Sequence, residues 1–180
     1  MKSTEVYKEI HTAMFPWLKA NGFKKTKSGM LGYYKFLKKS YLVIWFQCSQ
    51  DGFDAYSGSK FIIELQISTT NEIGVDAIVR NRIPFYLSKN DFVDIEKATN
   101  EIRRKLKRPP ETYYIFQLAE NIQQWYKSKF EKTTVSYNKT SDIWFEYFDH
   151  ADIKKWVRIL EPHIHRIIHD LEQTEYQSFI

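Results

Sequence analysis

Apolar side chains return every four residues at Val6, Ile10, Met14 and Leu18, with Tyr7 and Trp17 beside them. That period matches one face of an α-helix and predicts a helix over residues 4–20. Pro16 lacks the amide hydrogen that an interior helical position uses, so a kink or an early end is expected there. Asn21-Gly22 is a stop signal, because glycine enters the left-handed region without steric cost.

The pattern then changes to strand-like runs. Leu31–Lys38 and Ser40–Ser49 read as strands, the second carrying Tyr41-Leu42-Val43-Ile44-Trp45-Phe46. In Lys60–Thr69, Phe61, Ile63, Leu65 and Ile67 alternate with Ile62, Glu64, Gln66 and Ser68, which predicts a strand with one covered and one wetter face. Lys39-Ser40 is a short turn and Gln50–Ser59 a longer one, so these strands form an antiparallel meander. Ile83–Leu87 reads as either a short strand or an ordered loop. Helical spacing resumes at Phe92, Ile95, Ala98, Ile102 and Leu106, behind a cap at Asn90 or Asp91 and ahead of Pro109-Pro110. Ile115, Leu118, Ile122, Trp125 and Tyr126 predict a helix over Glu111–Phe130. A polar loop at Thr133–Thr140 and a strand at Asp142–Phe148 follow. The last helix starts near Asp149 or Asp152, with Ile153, Trp156, Val157, Leu160, Ile164, Ile167, Ile168 and Leu171 inward and a bend expected at Pro162.

The expected fold is therefore α+β, in the order α-β-β-β-α-α-β-α: a mainly antiparallel sheet of four or more strands with helices packed on one face. The length of 180 residues fits a single domain over 1–180, large enough to bury a core without disulfides or metals. With 43% apolar and 17% aromatic residues, disorder and low complexity are excluded. One cysteine, Cys48, rules out an internal disulfide, and its apolar strand predicts burial. No leader-like run and no stretch near the roughly 18 to 20 apolar residues of a membrane span occurs, so the expected location is the cytoplasm, away from membranes.

Charge adds an asymmetry. Residues 1–40 hold nine Lys against two Glu, a net +7, whereas the rest holds 18 basic and 20 acidic groups, a net −2. Such a balance speaks of partners and solubility, not of fold.

Gly22-Phe23-Lys24-Lys25, Tyr34-Lys35-Phe36, Ile44-Trp45-Phe46-Gln47-Cys48-Ser49, the alternating Phe61–Ser68 run and Arg80-x-Arg82-Ile83 form an ordered set. Over about residues 6–90 this set resembles the bacterial domain-of-unknown-function 4304 family. The resemblance implies an α+β domain, a link to bacterial conflict systems and a role for some members as immunity proteins. It brings no established activity and no catalytic residues to carry over.

Two basic clusters are the main candidate contact surfaces. Lys24, Lys25, Lys27, Lys35, Lys38 and Lys39 interleave with Phe23, Tyr33, Tyr34 and Phe36, a mixture suited to phosphates and stacked bases, or simply to guarding an edge strand. Arg103, Arg104, Lys105, Lys107 and Arg108 close a helix, where cations complement the carbonyl end or dock an acidic partner. His165 and His169 share a helical face at metal-clamping spacing but have no third ligand of matching spacing. Glu64-x-Gln66 echoes a nuclease Glu-x-Lys with the lysine replaced, and Asp51 and Asp54 sit in the wrong loop for it. No phosphate loop, nucleophile elbow or Cys-x-x-Cys pair occurs. The expectation is a non-enzymatic, cofactor-free binding protein for an acidic protein partner, of the immunity or defence-associated kind. A degenerate metal nuclease and a nucleic-acid-binding module are the alternatives.

Overall fold

A computed structural model describes residues 1–131 and 134–177. It begins with α1 (Ser3–Ala20), which buries Val6, Ile10, Met14 and Leu18, as the four-residue period predicts. Pro16 lies inside this helix without ending it. Asn21 closes it, its side-chain amide donating to the Trp17 carbonyl at 2.9 Å, and Gly22 follows at φ +84°.

Five strands follow in succession: β1 (Lys24–Lys25), β2 (Leu31–Phe36), β3 (Tyr41–Cys48), β4 (Ser59–Ser68) and β5 (Ala77–Arg82). Then come α2 (Lys89–Arg103), α3 (Glu120–Ser128), β6 (Phe145–Tyr147) and α4 (His150–Gln177). All strand pairings are antiparallel and make one six-stranded sheet, ordered β1-β2-β3-β4-β5. β3 lies along β4 from Ser68 to Phe61, so the opposite edge of β4 is shared: Glu64–Ser68 bind β5, and Ser59–Phe61 bind β6.

One face of the sheet builds the core. Leu42, Ile44 and Phe46 of β3 and Phe61, Ile63 and Leu65 of β4 are buried in one cluster with side chains of α1, α2 and α4. Trp156 is fully buried there, its ring edge-on to Phe145 at 5.1 Å and its Nε1 donating to the Glu146 carbonyl at 2.6 Å. The helices α1 and α4 are joined by the stacked rings of Trp17 and His165, 3.5 Å apart. Asp91 at the head of α2 accepts from Arg166 of α4 at 2.5 Å.

The α+β class, the antiparallel sheet and the helical layer follow the sequence expectation. The element order differs by two added strands, giving α-β-β-β-β-β-α-α-β-α. β1 has only two residues, too few for any period, and β5 has no buried stripe. Both are strands because a neighbour offers them a ladder. Ile83–Tyr86 is a short 3-10 helix, with Ile83 and Pro84 buried. The cap of α2 is Ser88, with Asp91 at the third helical position; their side chains satisfy each other's backbone amides at 3.3 and 2.7 Å.

The helix predicted over Glu111–Phe130 is divided. Tyr114–Gln117 is a 3-10 turn, and the extended Ala119 (φ −58°, ψ 147°) separates it from α3. Only Ile115 and Tyr126 of its apolar stripe are buried, while Leu118, Ile122 and Trp125 face solvent. The polar loop predicted at Thr133–Thr140 begins on a residue outside the described set.

The second face of the sheet departs most from expectation. Glu64, Gln66 and Ser68 are buried, although their alternation predicts a wetter face. Residues 69–76 fold back over Gln66 and Ser68, while Arg80 lies against Glu64. Gln66 donates to Ser68 Oγ at 3.0 Å and to the Glu72 carbonyl at 2.8 Å, and accepts from the Gly74 amide at 2.9 Å. Ile73 lies so close to Gly32 that a Cβ there would meet its Cδ1 at 2.7 Å. The Arg80 guanidinium sits 5.0 Å from the Trp45 ring centroid, and Trp45 is 1% exposed.

Candidate binding surfaces

The first basic cluster lies at the β1 end of the sheet. Lys24 pairs with Tyr34 and Lys25 with Tyr33 across the β1–β2 ladder, so the two lysines fall on opposite faces of an edge strand. Lys24, Lys25 and Lys27 are exposed and form no ion pair among the described residues. Lys38 and Lys39 are exposed at the β2–β3 turn. Lys35 is different: it binds Glu172 of α4 at 2.7 Å and lies 5.9 Å from the Phe23 ring, so it ties the sheet to the last helix.

Aromatic surface accompanies these cations. Phe36 is 57% exposed, and its ring lies 4.9 Å from that of Tyr41, which is edge-on to Tyr34 at 6.0 Å. Beside them, β1, β2 and the 69–76 loop enclose a depression of about 560 Å³, lined by Lys25, Thr26, Lys27, Tyr34, Glu72 and Ile73 among others. The Thr26 hydroxyl there is buried and has no hydrogen-bond partner. A buried hydroxyl without a partner carries a desolvation cost.

The second cluster divides by role. Arg103 reaches inward, donating to Glu146 at 3.1 Å and to the Lys129 carbonyl at 3.2 Å. Lys105 bridges Asp149 at 2.8 Å and Asp152 at 2.6 Å, fastening the end of α2 to the start of α4. Arg104, Lys107 and Arg108 are exposed and make no ion pair with any described residue. The run of five cations thus becomes two structural ties and three surface charges.

Titration follows these contacts. Burial lowers the pKa of Lys129 against the pull of Asp51 and other acids nearby. Burial raises that of Glu146, opposed by Arg103, Lys60 and Lys129. Burial also pushes up the Cys48 thiol, which lies buried with its backbone amide donating to the Tyr7 hydroxyl at 3.3 Å.

The metal-ligand candidates are otherwise engaged. Glu64 accepts from Arg80 at 2.7 Å and lies 3.8 Å from Arg82, so its charge is already matched. Gln66 anchors the 69–76 loop. His165 is stacked on Trp17, and His169 is exposed beyond it. Among the described residues, no three His, Cys, Asp or Glu side chains converge on a common point. No helix of the described residues is long and apolar enough to cross a membrane.

Sequence reasoning weighed Asp54 only as a metal ligand and missed its structural role. Its carboxylate accepts from the Tyr113 hydroxyl at 2.5 Å, the Tyr126 hydroxyl at 3.0 Å, and the backbone amides of Tyr56 at 2.8 Å and Ser57 at 2.7 Å. This one group fastens the β3–β4 loop to the segment after α2 and to α3. The legible signal is Asp54-x-x-Ser57-Gly58, an Asx-turn pattern. Compared with family models, curated proteins and solved structures, the chain finds no match.

Proposed function

We propose that this chain is a non-enzymatic, cytoplasmic binding protein that docks an acidic protein partner through its β1–β2 end, as immunity or defence-associated factors do by occlusion. The observation that carries this reading is the set of exposed cations Lys24, Lys25 and Lys27 at the edge of the sheet, two of which, Lys25 and Lys27, line the depression beside Tyr34. Cations steer an acidic partner, and Phe36, exposed on the neighbouring strand β2, supplies contact area. The resemblance of residues 6–90 to the domain-of-unknown-function 4304 family is in keeping with this role. A lone cysteine suits a reducing compartment.

Glu64, the centre of the metal-nuclease alternative, is already held by two arginines. Nucleic acid is the second reading, favoured by the exposed Phe36 on β2, the strand paired with the lysines of β1. The test is to purify the tagged chain from its source cells, identify any stoichiometric acidic protein and reconstitute the pair. The combined Lys24→Glu, Lys25→Glu and Lys27→Glu variant is expected to weaken that complex by at least about tenfold, roughly 1.4 kcal/mol. An unchanged affinity refutes the assignment. Oligonucleotide binding that collapses between low and moderate salt selects the second reading instead.

A further inference from the structure

Near β6, whose Glu146 binds Arg103, the segment after α2 and the helix α3 enclose a cleft of about 520 Å³. That volume lies within the range of about 300 to 1,000 Å³ typical of small-molecule sites. Its walls are of two kinds. Arg104, Arg108 and Lys127 supply cations that form no ion pair with described residues, and Glu131 is the acidic group among the lining residues. Leu106, Pro109, Phe116 and Phe130 supply apolar and aromatic surface. The Lys127 ammonium stands 5.5 Å from the Phe116 ring centroid, so charge and aromatic wall are adjacent.

Arg103 also lines the cleft. Its two terminal nitrogens are bound to Glu146 and to the Lys129 carbonyl, while its buried Nε has no partner. A guanidinium fixed in this way does not need to be ordered by a ligand. Arg104 and Arg108 flank it with planar donor forks matched to phosphate oxygens. A net cationic end beside an aromatic pair in a concave site suits a compact molecule better than a duplex or a flat protein face.

We propose that this cleft binds a nucleotide-class ligand, a phosphate ester whose planar body rests on Phe116 and Phe130 while Arg104, Arg108 and Lys127 take its phosphates. The site is separate from the β1–β2 end and stands or falls independently of it.

Isothermal titration of the full chain tests this with the common ribonucleoside diphosphates, pyrophosphate, adenosine and a short single-stranded oligonucleotide. At least one diphosphate is expected to bind saturably, more tightly than pyrophosphate or adenosine. Arg108→Ala and Lys127→Ala are each expected to weaken it by roughly tenfold or more. Both side chains are exposed, so these variants keep the fold. The Lys24→Glu, Lys25→Glu, Lys27→Glu variant is expected to bind the diphosphate as the parent does. Absence of diphosphate binding overturns the proposal. So does pyrophosphate binding as tightly as the best diphosphate, or an oligonucleotide that displaces it with higher affinity through the same two residues.

Discussion

Asp54 shows how one side chain can organise several segments. Burial opposes its ionised form, but hydrogen bonds from Tyr113, Ser57, Tyr56 and Tyr126 outweigh this and hold its pKa below the ordinary carboxylate value. The unfolded chain therefore takes up the proton first as pH falls. The stability that Asp54 contributes is complete above its unfolded pKa, about 3.9, and is lost as pH drops through the lower folded value. Asp54→Asn is expected to cost about 2 kcal/mol at neutral pH, with the gap from the parent narrowing as the pH falls below about 3.9. Urea melts of both proteins across that range check this; a gap independent of pH would contradict it. Gly58 is a second such point. It has φ +68°, and an added Cβ would lie 2.5 Å from the Tyr147 carbonyl oxygen. Gly58→Ala is expected to destabilise by about 2–3 kcal/mol, combining left-handed strain with that clash. Gly29 has nothing within 4 Å of its added Cβ, and Gly29→Ala is expected to fall within about 0.5 kcal/mol of the parent. Thermal melts of the two variants compare them directly.

Elements with a long, regular pattern are legible in the amino-acid sequence. α1 and α4 declare their inward faces through Val6, Ile10, Met14 and Leu18, and through Ile153, Trp156, Leu160, Ile164 and Ile168, all buried. The α3 region is not legible in this way, because Leu118, Ile122 and Trp125 carry helical spacing yet meet no core. Periodicity reports an amphipathic face, and not whether anything covers it. The 69–76 loop is the converse case: a polar segment with no period packs over Gln66, Ser68 and Gly32 of the sheet. Its hold on Gln66 is testable. Gln66→Leu removes three hydrogen bonds and leaves the Glu72 carbonyl and the Gly74 amide without that partner, at a cost of about 1–3 kcal/mol. Amide exchange at Gly74 is expected to quicken while exchange within β3 stays slow. Equal protection in variant and parent would show that the loop is held by other contacts.

Across the whole molecule, one buried cluster draws side chains from α1, α2, α4 and the sheet. Trp156 sits inside it, against Phe145 and under the Glu146 carbonyl. Trp156→Ala is expected to cost about 3–5 kcal/mol, and far-ultraviolet circular dichroism and tryptophan fluorescence are expected to report one shared unfolding transition. Two separated transitions would mean that the helical layer and the sheet unfold apart. The basic clusters show the limit of reading charge from sequence. Arg103 to Arg108 is a single run along the chain, but only the fold ties Arg103 and Lys105 to carboxylates and leaves Arg104, Lys107 and Arg108 without an ion pair among the described residues. The chain by itself determined its α+β class, its longer helices and strands and most of their buried positions, because backbone geometry converts local spacing directly into a face. Tertiary structure alone decided that β5 and β6 share one edge of β4, that a loop covers Gln66 while two arginines hold Glu64, and which cations remain available to a ligand. Those outcomes depend on partners distant in sequence, and no local period records a partner.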